Sequence, residues 1–156
     1  MLLSGKKIAP GTGHKEGRAL LAELYRQYAG TELPPILTTD RGKPYFENGP
    51  HFSITHTKTH VFCALSEKPV GIDAEEPDRQ INLRLAEKIL SPSERARFDR
   101  VEDKRLALLK LWVLKEADAK RTGEGIRFHP THTDFSPEDP RVTIRDGCLL
   151  AVIEEE

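Results

Sequence analysis

An α+β fold built as two pseudo-symmetric halves, about residues 1–68 and 69–156, with a cleft between them, is what this sequence predicts. Three observations carry that expectation. A basic residue opens a Leu/Ala-rich helix twice, in KEGRALLAEL (Lys15 to Leu24) and in DKRLALLKL (Asp103 to Leu111), and each helix is followed by a loop and strand-like segments, a likeness that chance between two Leu-rich helices explains about as well as duplication. Alternation of apolar and polar residues, the mark of a half-buried strand, recurs in FSITHT (Phe52 to Thr57) and GIDAE (Gly71 to Glu75). At 156 residues and 37% hydrophobic composition the chain can bury one core, or two small subdomains in contact, so one domain over 1–156 is expected.

The elements follow in chain order. Lys15 to Leu24 forms the first helix. FSITHT is a strand whose Phe52, Ile54 and His56 share one face, which favours a partly buried imidazole at His56. Val61 to Leu65 and Val70 to Glu75, separated by Ser-Glu-Lys-Pro, read as a hairpin. A helix over Asn82 to Leu90 precedes a second that starts at the capping box of Ser91, Pro92 and Glu94 and runs to about Arg100. A long helix from about Asp103 to Thr122 stops at Gly123. His129 to Pro140, rich in Pro, Thr and Asp, is a loop, and a turn at Arg145 to Gly147 leads into the strand Cys148 to Ile153.

The chemistry concentrates in acidic side chains. In Val70 to Glu75 the apolar Val70, Ile72 and Ala74 alternate with Gly71, Asp73 and Glu75, so Asp73 and Glu75 share a face with Cα atoms roughly 6.5 Å apart. On the long helix, Arg105, Leu106, Leu109, Trp112, Val113, Glu116 and Lys120 fall on one stripe, which puts Glu116 in a core-facing position. A buried unpaired carboxylate costs several kcal/mol, so Glu116 calls for a cation, with Lys120 one candidate. Three carboxylates completed by water and substrate phosphate are the oxygen-only set preferred by Mg²⁺ or Mn²⁺. Two plainer roles fit the same residues: a solvated strand face for Asp73 and Glu75, and an i, i+4 surface pair for Glu116 with Lys120.

The order RGKP (Arg41 to Pro44), FSITHT, GIDAE, WVLKEADAK (Trp112 to Lys120) and GEGI (Gly123 to Ile126) resembles the 4'-phosphopantetheinyl transferases, in the two-subdomain class that activates peptide synthetases and related carrier-protein enzymes. The match runs from about Lys15 to Phe128. The resemblance implies a 4'-phosphopantetheinyl transferase-like fold and transfer of 4'-phosphopantetheine from coenzyme A to a serine of an apo acyl or peptidyl carrier protein, releasing 3',5'-ADP. It implies that Asp73, Glu75 and Glu116 bind Mg²⁺ with the pyrophosphate, and that Glu116 helps deprotonate the serine. It also implies that Lys43, Thr55, His56 and Lys120 contact the phosphates or adenosine of coenzyme A, and that Arg18 corresponds to a basic position near the start of the family's first long helix. Lys115 is a further candidate for positive charge.

Departures from the family pattern are Thr55 and Thr57 where serine is usual, and short terminal segments in which only Lys6, Lys7 and Lys15 stand in for the basic residues of larger members. Seventy residues precede Gly71, which favours the two-subdomain class over the small trimeric holo-acyl-carrier-protein synthases, in which the GID-like strand lies close to the amino terminus. A monomer is expected. A metal-dependent phosphohydrolase would use the same acidic cluster with water as nucleophile, and a silent coenzyme A or carrier-protein binding module would keep ligand and fold without turnover.

Composition narrows the remaining classes. Net charge is −1 and the basic residues are scattered, so no nucleic-acid footprint is indicated, although Arg79 to Arg105 is locally basic and would suit an acidic carrier protein or a solvated helical face. Cys63 and Cys148 lie in apolar strand-like runs, as buried thiols in a reducing compartment. MLLSGKK is too short an apolar run for a signal peptide and no 18-residue apolar span occurs, so a cytoplasmic protein is expected. Among the histidines, His51, His60, His129 and His132 are expected at the surface.

Overall fold

The computed structural model describes residues 1–125 and 130–156. In chain order the elements are β1 (Leu2–Lys7), α1 (Gly13–Ala29), β2 (Leu37–Thr38), β3 (Pro44–Tyr45), β4 (His51–His56), β5 (His60–Ser66), β6 (Val70–Glu75), a 3₁₀ turn (Leu83–Leu85), α2 (Ala86–Ile89), α3 (Pro92–Phe98), α4 (Lys104–Thr122), β7 (Val142–Arg145) and β8 (Cys148–Glu154). The α+β expectation holds. Strands β1, β5 and β4 form one antiparallel sheet in that order, β6, β8 and β7 form a second, and β2 with β3 makes a separate two-stranded ribbon.

Side-chain alternation stacks these elements into layers. On β5, Val61, Cys63 and Leu65 face α1 and pack with its Leu20, Leu21 and Leu24. Phe62 and Ala64 point the other way and meet Val70, Ile72 and Ala74 of β6 with Cys148 and Leu150 of β8. The outer face of the second sheet, with Ala151 and Ile153, lies under α4 and the short helices α2 and α3. The order is thus α1, first sheet, second sheet, α4, and period 2 in the strands is what lets each sheet bury both faces.

Where the two sheets meet at their β4 and β6 edges, side-chain hydroxyls replace a backbone ladder. Ser53 accepts the Ile72 N–H at 3.0 Å and Thr55 accepts the Ala74 N–H at 3.1 Å. Without them β6, whose strand partner is β8, would bury unpaired donors.

Two expectations change. Val61–Leu65 and Val70–Glu75 do not form a hairpin: β5 pairs with β4 and β1, while β6 pairs with β8. The chain passes from one sheet to the other between them, because the apolar faces of both strands are satisfied by packing face to face rather than edge to edge. The burial of α4 is broad, as its leucines off the stripe lead one to expect: Leu108, Leu111 and Leu114 are fully buried, while Trp112 on the stripe is only partly so. A helix held between a sheet and shorter helices buries more than one face. The helix from Ser91 ends at Phe98 rather than Arg100, and the helix expected over Asn82 to Leu90 divides into a 3₁₀ turn capped by the Asn82 side chain and the one-turn α2. In addition, β1 extends the first sheet with a strand not expected from its sequence.

Both cysteines are free and buried, and burial pushes the Cys63 thiol up to about 12. Among the described residues no helix is long and apolar enough to cross a membrane.

Candidate functional site

Asp73 and Glu75 lie on the face of β6 that α4 crosses, one and two strand repeats beyond Gly71. At Gly71 the helix comes so close that a Cβ would sit 1.8 Å from the Ala117 carbonyl oxygen and 2.5 Å from the Arg121 nitrogen. Only glycine permits this approach, and it brings Glu116 and Lys120, one turn apart on α4, over the strand. Asp73 is 8% exposed. Its Oδ1 accepts from Lys120 Nζ at 2.9 Å and from Thr55 Oγ1 at 3.3 Å, and Lys120 also donates to the Ile72 carbonyl at 3.1 Å. Glu75 is paired with Arg79 from the loop after β6. Glu116 stands partly buried beside both.

Burial raises the carboxyls of Asp73, Glu75 and Glu116 alike above their ordinary range. For Glu116 the charge on Asp73 is the next cause and adds to the rise, with Glu75 contributing as well, while Lys120 and Arg79 oppose it. For Asp73, Lys120 and the Thr55 hydroxyl oppose the effect of burial. The trio is therefore electrostatically one unit. Its chemistry, carboxylate oxygens alone with a shared excess of negative charge, fits a hard divalent cation. Among the described residues no group of three or more His, Cys, Asp or Glu side chains is arranged to hold a metal ion; Lys120 pairs with Asp73 and Arg79 with Glu75.

Next to the carboxylates, α1, the β2–β3 ribbon, β4 and the end of α4 enclose a cavity of about 440 Å³. Arg18, Arg41, Lys43, His56 and Lys120 line it together with glycine and apolar residues, and among the described residues Glu116 is the one carboxylate in its wall. Such a lining favours a polyanion. Five of the eight residues singled out from the sequence, Arg18, Lys43, His56, Glu116 and Lys120, thus meet in one place. Asp73 and Glu75 lie behind and beside it. A second, more open cleft of about 820 Å³ holds Glu75, Arg79 and Lys58 and shares His56 with the first.

Individual placements refine the expectations. His56 does share its face with Phe52 and Ile54, but at the end of β4 it is exposed rather than partly buried; its ring lies against the first residue of α1, where a Cβ on Gly13 would come within 2.3 Å of it. Lys43 reaches the carbonyl of Arg121 at the end of α4, and burial together with the Arg121 charge holds its ammonium below the ordinary range. Thr55 is 5% exposed and sits behind the cavity wall. Lys115 is not available to a ligand: it is 2% exposed and donates to Glu94 at 2.7 Å, to the Pro130 carbonyl at 2.6 Å and to Thr133. Glu94 in turn accepts from the Ser91 and Phe135 N–H groups, both at 2.8 Å. Its capping-box role was legible; the ion pair was not, since nothing local links Glu94 to Lys115. Arg79 was also missed as a site residue, and Glu75 four residues before it is the only sequence signal. His51 and His60 are partly buried, His132 is exposed, and His129 with Ile126 and Phe128 lies outside the described residues.

Comparison with known proteins adds an independent finding. A family model described as the 4'-phosphopantetheinyl transferase superfamily matches residues 69–149, which hold both GIDAE and WVLKEADAK. The chain is 31% identical over 136 residues to the 4'-phosphopantetheinyl transferase psf-1 of Bacillus pumilus, covering 83% of this chain and 58% of that protein. It is 33% identical over 94 residues to the 4'-phosphopantetheinyl transferase Sfp of Bacillus subtilis strain 168, covering 57% and 41%. To the 4'-phosphopantetheinyl transferase HetI of a Nostoc species it is 29% identical over 138 residues, covering 80% and 57%. The chain spans about half the length of these relatives.

Proposed function

Because this chain belongs to the 4'-phosphopantetheinyl transferase superfamily, we propose that it transfers 4'-phosphopantetheine from coenzyme A to a serine of an apo acyl or peptidyl carrier protein and releases 3',5'-ADP. One observation supports this above the rest: Glu116, coupled to Asp73, Glu75 and Lys120, lines a cavity into whose largely apolar and glycine-rich wall Arg18, Arg41, Lys43 and Lys120 bring positive charge. Coenzyme A carries a pyrophosphate and a 3'-phosphate, and the cavity's Arg18, Lys43, His56 and Lys120 complement that charge.

Asp73, Glu75 and Glu116 would hold Mg²⁺, or Mn²⁺, which neutralises charge on the pyrophosphate when bound. In the transfer the serine oxygen bonds to the phosphorus on the pantetheine side, the P–O bond to 3',5'-ADP breaks, and the serine proton passes to a base. Glu116 suits that role, because burial and the neighbouring carboxylates raise its proton affinity. Lys120, held to Asp73 and the Ile72 carbonyl on one side and facing the cavity on the other, sets a positive charge where the leaving phosphate gains negative charge. General base catalysis typically contributes 10²–10⁴-fold, so positioning carries more of the barrier than proton transfer. We also assign the chain, as part of this proposal, two pseudo-duplicated halves about 1–68 and 69–156 that act as one monomeric domain.

The test is to incubate the chain with coenzyme A, Mg²⁺ and a panel of apo carrier proteins and to weigh the carriers. The expected result is a gain of one phosphopantetheine on at least one carrier, lost on adding a chelator. Phosphate release without any carrier would instead identify a metal-dependent phosphohydrolase, and coenzyme A binding with no mass gain on any carrier would identify a binding module.

A further inference from the structure

Residues 53 and 55 point from β4 into the seam between the sheets and carry hydroxyls that do the same backbone task. Ser53 accepts from Ile72 N and Thr55 from Ala74 N. They differ in two respects: Ser53 also lines the cavity, whereas Thr55 is bonded to a carboxylate. Thr55 also donates its proton to Asp73 Oδ1, at 3.3 Å, inside the protein. Its donor and one acceptor site are thus both committed, it is 5% exposed, and it does not reach the cavity that a nucleotide would enter.

From this geometry we infer, building on the phosphopantetheinyl transfer proposed above, that Thr55 is a positioning residue: its hydroxyl orients the Asp73 carboxylate for cation binding and does not contact coenzyme A. Thr55 and Lys120 both bind Oδ1, one from β4 and one from α4, so Oδ2 is the oxygen Asp73 can offer to a cation. A β-branched side chain has a restricted χ1, and here its hydroxyl is tied at both ends. Threonine in place of serine therefore stiffens the support of the carboxylate. Outer-shell hydrogen bonds of this kind commonly change metal affinity by 10–100-fold when lost.

The experiment titrates Mn²⁺ into the protein in saturating coenzyme A, and separately measures coenzyme A affinity in EDTA, for the parent, Thr55→Val, Thr55→Ser and Ser53→Ala. Thr55→Val should bind Mn²⁺ about tenfold or more weakly, while its metal-free coenzyme A affinity stays within about twofold of the parent. Thr55→Ser should restore Mn²⁺ affinity to within about twofold of the parent. Ser53→Ala removes the equivalent seam bond without a carboxylate contact, so its thermal midpoint should fall comparably while its Mn²⁺ affinity holds; because Ser53 also lines the cavity, coenzyme A is kept saturating for this variant and its affinity in EDTA is read alongside. Unchanged Mn²⁺ affinity in Thr55→Val overturns the inference, as does an equal loss of coenzyme A affinity in EDTA, which would place the hydroxyl on the ligand. A tenfold loss in Ser53→Ala overturns it too, by assigning the effect to the seam. If Thr55→Val does not fold, Thr55→Ser decides, because a tenfold loss with the hydroxyl retained is incompatible with this role. A parent that binds no Mn²⁺ and modifies no carrier defeats the transferase reading itself; a parent that does both, with an unaffected valine variant, defeats only the role of Thr55.

Discussion

Glu116 and Lys120 are one helical turn apart, yet Lys120 bonds across to Asp73 on β6 rather than along the helix to Glu116. The pairing alternative thus places the cation on the strand carboxylate and leaves Glu116 raised by burial and by its acidic neighbours. Glu116→Gln separates a catalytic carboxylate from a bystander. As the proposed base and cation ligand, its replacement should lower carrier modification by at least about a hundredfold. Folding should not suffer, because removing one of three repelling carboxylates relieves the apo protein. Carrier mass and thermal midpoint measured on one preparation test both halves, and full transferase activity in the variant would remove Glu116 from the mechanism. Lys115, adjacent in sequence, shows why neighbours on a helix are not interchangeable. It turns the opposite way into a buried pair with Glu94 and anchors residues 130–135 to α3 and α4.

At the scale of elements, the contact that assembles the site is the crossing of α4 over β6. It depends on Gly71, whose missing side chain lets the Ala117 and Arg121 backbone of α4 approach the strand. Gly71→Ala must push helix and strand apart, since the obstructing atoms are backbone and cannot rotate away. Destabilisation of about 3 kcal/mol or more is expected, at or above the upper end for overpacking a core. Denaturant unfolding measures it, and a midpoint equal to the parent's would contradict the crossing geometry. Gly13 has the corresponding place in the first layer, where α1 begins beneath the His56 ring. The two glycines fix how closely each helix approaches its own sheet, and so how Arg18 and His56 on one side face Glu116 and Lys120 on the other.

For the whole molecule, the carboxylates fall into two groups with opposite pH behaviour. Asp73, Glu75 and Glu116 are raised on folding, chiefly by burial. Between the ordinary value, 4.5 for Glu116, and the raised one, the folded chain holds more protons than the unfolded chain, so the trio's contribution to stability falls as pH rises through that window. Glu76 and Asp139 are lowered by hydrogen bonds from Thr59 and Arg141, and their contribution is present above the ordinary range and lost as pH falls below it. The stability of the apo protein should therefore fall as pH rises through the window above the ordinary carboxylate value, and fall again as pH drops below it. Glu116→Gln should flatten the upper part of that profile. Denaturant midpoints taken across the pH series check this, and a variant with the parent's slope above the ordinary carboxylate range would refute the coupling.

Period alone determined much of this protein. The alternation in FSITHT and GIDAE put Asp73 beside Glu75 and His56 with Phe52 and Ile54, and the helical spacing in WVLKEADAK put Glu116 with Lys120, because strands and helices impose those repeats wherever they form. Ser91 and Glu94 announced a helix start for the same local reason, and the structure contains the capping box. What local spacing could not decide was which strands pair. The short link between β5 and β6 reads as a turn, yet two apolar faces gain more by stacking than by sharing an edge, and that is a choice among surfaces distant in the chain. Likewise Thr55 on Asp73, Lys43 on the Arg121 carbonyl and Lys115 on Glu94 join residues 18, 78 and 21 positions apart. Each such bond exists because burial requires a partner for every polar group, and only the packed tertiary structure determines which partner is within reach.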